Sequence, residues 1–284
     1  MRVGILGIGL MGGPMALKLQ DYGFEVVAWN RTLAKLAPLR KAGIETTEVA
    51  SGAIASCDIT IAILSDAAAT ESALFADAAA LSGRTILQMA TIAPEESRDL
   101  EKRVENAGGA YLEAPVLGSI PEVKDGSLIV MVGATPEQFE RWMPVFKCFG
   151  PEPQLMGKVG TAAATKLAMN QLIGTLTSAF SMSLGLVKRE GLDLEKFMML
   201  VRASALYAPQ FDKKLGRMCD RNFEEPNFPT KHLLKDMNLF VQAAEDKDVD
   251  ATVAAGVSEL VQKAISQGLA NKDYSAVYSA VDPE

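Results

Sequence analysis

The N-terminal stretch constrains this chain more than any other. Arg2–Leu6 is a short apolar run, Gly7-Ile8-Gly9-Leu10-Met11-Gly12 follows at once, and an amphipathic pattern covers Met11 to Tyr22. A buried strand, a glycine turn and a helix are expected in that order. In this setting the spacing Gly7-x-Gly9-x-x-Gly12 has a physical purpose. Gly7 makes the tight turn. Gly9 carries no Cβ, so a pyrophosphate can reach the backbone. Gly12 lets the helix pack closely on the strand. The helix start adds free N–H groups and the positive end of its dipole. A parallel α/β domain that holds a dinucleotide is the expected outcome.

The same rhythm continues to residue 148. Strands are expected at Phe24–Trp29, Asp58–Leu64, Thr85–Gln88, Ala110–Glu113 and Ser127–Val132. Helical segments are expected at Leu36–Ala42, Ala50–Ala55, within Ala68–Ala80, and at Ser97–Ala107 and Pro136–Cys148. Alternation of this kind predicts a mostly parallel, doubly wound sheet whose ligand crevice lies beyond the C-terminal strand ends. The glycine turn, Asn30–Thr32, Leu64-Ser65-Asp66, Ala90–Ile92 and Ala114–Ser119 all follow strands. They are expected to converge on that crevice.

Two of these loops carry further information. The second strand ends in Asn30-Arg31-Thr32, where no acidic residue stands to bond a free ribose hydroxyl. A carboxylate there would repel a 2′-phosphate, whereas an arginine attracts it and pairs with it. Thr32 can add a hydroxyl and Asn30 can bond the ribose, so NADP is favoured over NAD. The other loop is Glu113-Ala114-Pro115-Val116-Leu117-Gly118-Ser119. Pro115 stiffens it, and Gly118-Ser119 can aim backbone N–H groups at an anion.

A second organising stretch is Gly160-Thr161-Ala162-Ala163-Ala164-Thr165-Lys166-Leu167-Ala168-Met169-Asn170. It opens a proline-free run to about Glu190, which would span roughly 45 Å as a helix. That is too long for one compact domain, so it reads as an axle between two. Lys166 and Asn170 share one helix face and can point together into an interdomain cleft. Beyond it only helix patterns remain, at Leu194–Ala205, Tyr207–Arg217, Lys231–Glu245, Thr252–Gln267 and near Ser275–Ala280. Three parts follow: a Rossmann domain at 1–160, an interdomain helix at 161–190 and an all-α domain at 191–284.

Composition narrows the partners. A net charge of −7 argues against nucleic acid or an anionic membrane as main partner. The three cysteines, Cys57, Cys148 and Cys219, are far apart and odd in number, which suits reduced thiols in the cytoplasm and no disulfide frame. His232 is the only histidine, so no multi-histidine metal centre exists, and no metal is expected. His232 reads as a residue that orients its neighbours.

Taken together, these motifs resemble the β-hydroxyacid dehydrogenase family, and within it the glyoxylate/succinic semialdehyde reductase branch. The likeness is carried by Gly4 to Gly12, Trp29-Asn30-Arg31-Thr32, Leu64-Ser65-Asp66, Glu113 to Ser119, Gly160 to Asn170, Phe228 to Met237 and Asp273 to Val277. It covers essentially the whole chain. The resemblance implies NADPH-dependent reduction of a small aldehyde or keto acid to a hydroxy acid, and a homodimer or homotetramer. It makes Lys166 the catalytic lysine and Asn170 its substrate-binding neighbour. It assigns Gly7, Gly9, Leu10, Met11, Gly12, Asn30, Arg31, Thr32, Leu64, Ser65, Thr91 and Lys235 to the cofactor. Leu117, Gly118, Ser119, Phe228 and Asp236 fall to the substrate side. One position departs from the family: a serine that helps hold the substrate carboxylate is commonly found where this chain has Leu117. Facing the pocket, Leu117 would reshape it at the expense of the smallest acids; the alternative is that it points into the sheet and only packs.

Two other classes share the fold. Imine-reducing relatives usually replace the lysine, and non-catalytic modules of chromatin-associated relatives often lose it and carry basic appendages. This chain keeps Lys166 and is acidic.

The Arg31 reading is directly testable. A hydrogen bond to a charged group contributes about 1.5–3 kcal/mol, so Arg31→Ala should weaken NADPH roughly 10- to 100-fold and leave NADH almost unchanged. Fluorescence titration with both nucleotides measures this, and equal losses for the two would remove the 2′-phosphate role.

Overall fold

Continuous apolar runs with helices between them must be covered on both faces, and the chain does this with one large sheet. The structure, a computed structural model, describes residues 1–283. Its strands are β1 (Arg2–Leu6), β2 (Glu25–Trp29), β3 (Glu45–Thr46), β4 (Ile59–Ala62), β5 (Thr85–Gln88), β6 (Ala110–Glu113), β7 (Val116–Leu117), β8 (Ile129–Gly133) and β9 (Gln154–Gly157). The helices among and after them are α1 (Gly12–Asp21), α2 (Ala37–Lys41), α3 (Ala50–Ser56), α4 (Ala67–Leu74), α5 (Pro94–Asn106), α6 (Ile120–Asp125), α7 (Pro136–Phe146) and α8 (Thr161–Arg189). There follow α9 (Leu194–Ala203), α10 (Pro209–Cys219), α11 (Thr230–Glu245), α12 (Thr252–Ala264) and α13 (Val277–Val281).

The sheet begins β3-β2-β1-β4-β5-β6, all parallel. Strand order reverses between β1 and β4, and Leu6 pairs with Trp29 on one side and Ala62 on the other. Gly7 thus leaves the sheet at the switch point, where ligands of such sheets bind. Side chains alternate between faces with period two. Ile5 joins a core with Met15, Leu19, Trp142 and Phe146, while Leu6 joins a second core with Ile54, Leu74, Leu100 and Val104.

The sheet is mostly parallel, as expected, and turns antiparallel only at its far edge. β8 runs antiparallel to β6 and to β7, and β9 then pairs parallel with β8. The reason is the connection. Residues 118–128 hold only the short helix α6, whereas a parallel crossover needs about a dozen or more residues. Elements too brief or too polar to show a pattern were also invisible in the sequence. These are β3 and β7 with two residues each, β9 whose residues are exposed or half-buried, and α6.

The chain forms two compact units, Met1–Lys166 and one from Leu167 onward, so the division falls inside α8. α8 itself is one uninterrupted helix of 29 residues. No helix among the described residues is long and apolar enough to cross a membrane. The helical unit has cores built around Leu233, Met237, Val261 and Val277, and around Phe180, Leu184, Met198 and Met218. Between α10 and the turn before α13 lies a buried ion pair: Lys214 Nζ is 2.9 Å from both oxygens of Asp273 and 4.3 Å from the Tyr274 ring centre. Asp273 also accepts the Ser275 N–H and hydroxyl. This full pairing is what lets two charges lie inside a small helical core.

The glycines of the first turn divide by task. A Cβ on Gly12 would sit 1.9 Å from the Gly7 carbonyl oxygen, whereas one on Gly9 would meet nothing within 4 Å. Gly12→Ala should therefore overpack α1 against β1 at a cost of about 1–3 kcal/mol. Gly9→Ala should leave the melting temperature alone and weaken nucleotide binding. Thermal unfolding and nucleotide titration of both variants check the contrast; equal melting losses would contradict it.

Candidate active site

The nucleotide end is built from backbone. Gly7 has φ +105° and donates its N–H to Trp29 O at 3.0 Å, which turns the chain sharply out of β1. α1 then starts without a capping side chain at Met11 and without an acid in its first turn. Open space over Gly9 and an uncapped helix start form a cradle that fits a pyrophosphate. Leu10 is exposed beside it, while Met11 packs partly into the core. Leu64 packs on the opposite core at the end of β4, and the next residue, Ser65, donates its hydroxyl to Asp66 at 2.8 Å. Asp66 in turn caps α4 through the Ala69 N–H. Thr91 lies half-buried beyond β5.

Asn30 is engaged by the backbone around it. It is buried, its Oδ1 accepts the Ile8 N–H at 2.9 Å, and its Nδ2 donates to Thr32 O at 2.8 Å. The side chain ties the glycine turn to the loop after β2, and both its ends are held by backbone. Arg31 and Thr32 stand exposed on that loop, with no acidic residue between Asn30 and the next helical turn. A buried amide held by backbone at its oxygen and at one N–H is fixed in place, with its second N–H left over.

Ser119 departs from expectation. Its N–H and hydroxyl both donate to Glu122 Oε2, at 2.7 and 2.6 Å. They form the capping box of α6 and are not turned toward an anion. The sequence Ser-x-x-Glu is the signal that identifies this cap. Gly118 before it has φ +132° and is exposed, and Leu117 is half-buried in β7, paired with Ile129.

Lys166 and Asn170 are both buried, with exposures of 9% and 2%. In the helical unit the Asn170 Nδ2 donates to Asp236 Oδ2 at 2.6 Å. A Cβ on Gly174, one turn further along α8, would press on Met237 Sδ at 2.7 Å, so α8 and α11 approach closely here. Lys235 Nζ lies 3.0 Å from the other Asp236 oxygen, which is buried and lacks an aligned hydrogen bond. Lys235 thus pairs with Asp236. Phe228 packs against Tyr274 at 5.5 Å and edge-on against His232 at 6.5 Å. Burial pushes the His232 imidazole below its usual range, with Asp236 opposing. Sequence reasoning missed Lys214, since Lys213-Lys214 looks like surface, and missed that Glu113 faces the start of α8. Among the described residues no three His, Cys, Asp or Glu side chains are grouped to hold a metal.

Comparison with known proteins gives the same class. Residues 2–160 match the NAD binding domain of 6-phosphogluconate dehydrogenase, and residues 160–281 match the NAD-binding domain of NADP-dependent 3-hydroxyisobutyrate dehydrogenase. The chain is 35% identical to glyoxylate/succinic semialdehyde reductase 1 of Arabidopsis thaliana, over 99% of this chain and 98% of the relative. It is 32% identical to the chloroplastic reductase 2 of the same plant, over 98% and 79%. A Mycobacterium tuberculosis 3-hydroxyisobutyrate dehydrogenase shares its fold with a TM-score of 0.89 at 21% identity, covering 99% of this chain and 98% of that one. The chain belongs to the β-hydroxyacid dehydrogenase family and is an NAD(P)-dependent oxidoreductase.

The Asn30 clamp carries a prediction. Asn30→Asp turns the donor facing Thr32 O into an acceptor and adds a negative charge beside Arg31. An unmade buried hydrogen bond costs about 1–3 kcal/mol, so NADPH should bind roughly 10- to 100-fold more weakly. Nucleotide titration checks it, and wild-type affinity would show that the clamp does not hold the loop.

Proposed function

We propose that this protein is an NADPH-dependent reductase of small aldehydes and keto acids, of the glyoxylate and succinic semialdehyde class, with Lys166 as general acid. The observation that carries the reading is the pair on α8: Lys166 and Asn170 lie one turn apart, both buried, and Asn170 is held by Asp236. The names of the two plant reductases supply the substrate class. Exposed Arg31 and Thr32, with no acid beside them, support NADP as the cofactor. The exposed Leu186, Met199, Leu200 and Leu206 of the helical unit support a homo-oligomer. Three unpaired cysteines support a cytoplasmic setting.

When bound, the cofactor supplies the hydride to the substrate carbonyl carbon. Negative charge develops on the carbonyl oxygen. Lys166 Nζ stabilises that charge and gives up the proton that completes the hydroxyl. In the reverse direction its neutral amine takes the proton back. One N–H of Asn170 is spent on Asp236; the other N–H and the amide oxygen are what it offers the substrate. Holding this amide still is an orientation effect, made before any substrate arrives.

Lys166→Ala should leave NADPH affinity near the wild-type value and lower kcat by at least about 10²-fold, the low end for a general acid. Steady-state rates with glyoxylate, succinic semialdehyde and uncharged aldehydes test both the residue and the substrate class. Near-normal turnover by the variant at saturating substrate would refute the assignment.

A further inference from the structure

The proposed reaction leaves one buried carboxylate without a task. Glu113 ends β6 and is 1% exposed. Its Oε1 accepts three backbone N–H groups from the start of α8: Gly160 at 2.8 Å, Ala162 at 2.9 Å and Ala163 at 3.0 Å. Its Oε2 accepts the Ser97 hydroxyl, and the Tyr111 hydroxyl lies 2.9 Å from Ser97 Oγ. The site is shaped around this group: a Cβ on Gly133, its register partner in β8, would lie 2.5 Å from Oε1. Burial pushes the Glu113 carboxyl above its usual range, against the opposing pull of Ser97 and the three backbone donors.

Helices start with orphan N–H groups and a partial positive charge, and the usual remedy is a cap from the residue just before. Here the cap comes from the sheet, 47 residues or more away in the chain. A local cap fixes a helix end relative to itself. A carboxylate from β6 fixes it relative to the sheet, and it also cancels the charge at the helix start. Lys166 stands three residues beyond Ala163 on this same end of α8.

We propose that Glu113 is the positioning residue of Lys166: as a carboxylate clamped by Ser97, it sets where the first turn of α8 stands against the sheet, and so where the Lys166 ammonium is delivered. The inference rests on the reading of Lys166 as the general acid. It gives the Tyr111–Ser97–Glu113 chain a role in catalysis through Lys166, with none of the three touching substrate.

The test is a cycle of variants: Glu113→Gln, Lys166→Ala and the double variant. Glutamine keeps the shape and an acceptor oxygen but loses the charge and turns an NH₂ toward Ser97. Glu113→Gln should fold, bind NADPH within about twofold of wild type, and lose roughly 10- to 100-fold in kcat, as expected for a displaced catalytic group. Hydrogen exchange at residues 160–163 should be faster, a readout independent of activity. The double variant should be no slower than Lys166→Ala alone, because a residue acting through another shows no separate effect. Additive losses, or a Glu113→Gln enzyme with wild-type kcat, overturn the inference. If Lys166→Ala alone turns over normally, the reading of Lys166 fails and the inference falls with it, an outcome visible in that single variant. Should Glu113→Gln not fold, Ser97→Ala is judged by the same criterion. It keeps the carboxylate and loosens one oxygen, so its loss should be smaller and equally absent in the Lys166→Ala background.

Discussion

The closest constraint in the nucleotide-binding unit is the contact between Gly12 and the Gly7 carbonyl. No side chain fits between them, since even a Cβ would lie 1.9 Å from the oxygen. That contact brings α1 down onto β1 and sets the helix start directly beyond the strand end. The switch point between β1 and β4, the open backbone at Gly9 and the uncapped first turn then fall into one place. Anion binding follows from this backbone geometry and needs no charged side chain. The acidic character of the chain is therefore no obstacle to a phosphate-bearing cofactor.

Buried polar groups do the remaining positioning, and each is tied to an element that is distant in sequence. Asn30 joins the glycine turn to the loop after β2. Glu113 joins β6 to the start of α8. Asp236 joins α11 to Asn170, and Asp273 joins α10, through Lys214, to the turn before α13. A buried amide or carboxylate is costly when unpaired. Each of these groups therefore admits few arrangements, and that is what makes it a useful spacer. Arg31 and Thr32 have the opposite character: both are exposed, and the loop that carries them is held through the Thr32 carbonyl.

Much of this was legible beforehand because periodicity is a local property. The strands from Arg2 to Glu113, the helix from Thr161 and the helical second half all follow from runs of apolar residues and from glycine and proline placement. Their ends differ from expectation by a few residues; the strand expected at Asp58–Leu64 covers Ile59–Ala62, and the helix expected from Ser97 starts at Pro94. Two-residue strands carry no period, so β3 and β7 left no trace. The antiparallel turn of β8 depends on the length of the connection from β7, which is readable only once β7 is known to exist. Ser119 is different in kind. Its Ser-x-x-Glu signal stood in the sequence as Ser119-Ile120-Pro121-Glu122, and the competing reading of an anion-binding turn obscured it.

The sequence by itself determined the class of fold, the dinucleotide fingerprint, the absence of an acid after β2 and the one-turn spacing of Lys166 and Asn170. These are statements about neighbours along the chain, and helical or extended geometry converts them directly into shape. Tertiary structure alone decided what the buried polar side chains do. Asn30 became a clamp, Glu113 the cap of a helix 47 residues away, and Lys214 the partner of Asp273. The reason is physical. A polar side chain states only what it can donate or accept, and its partner is chosen by whichever backbone or side chain the packed fold brings within about 3 Å.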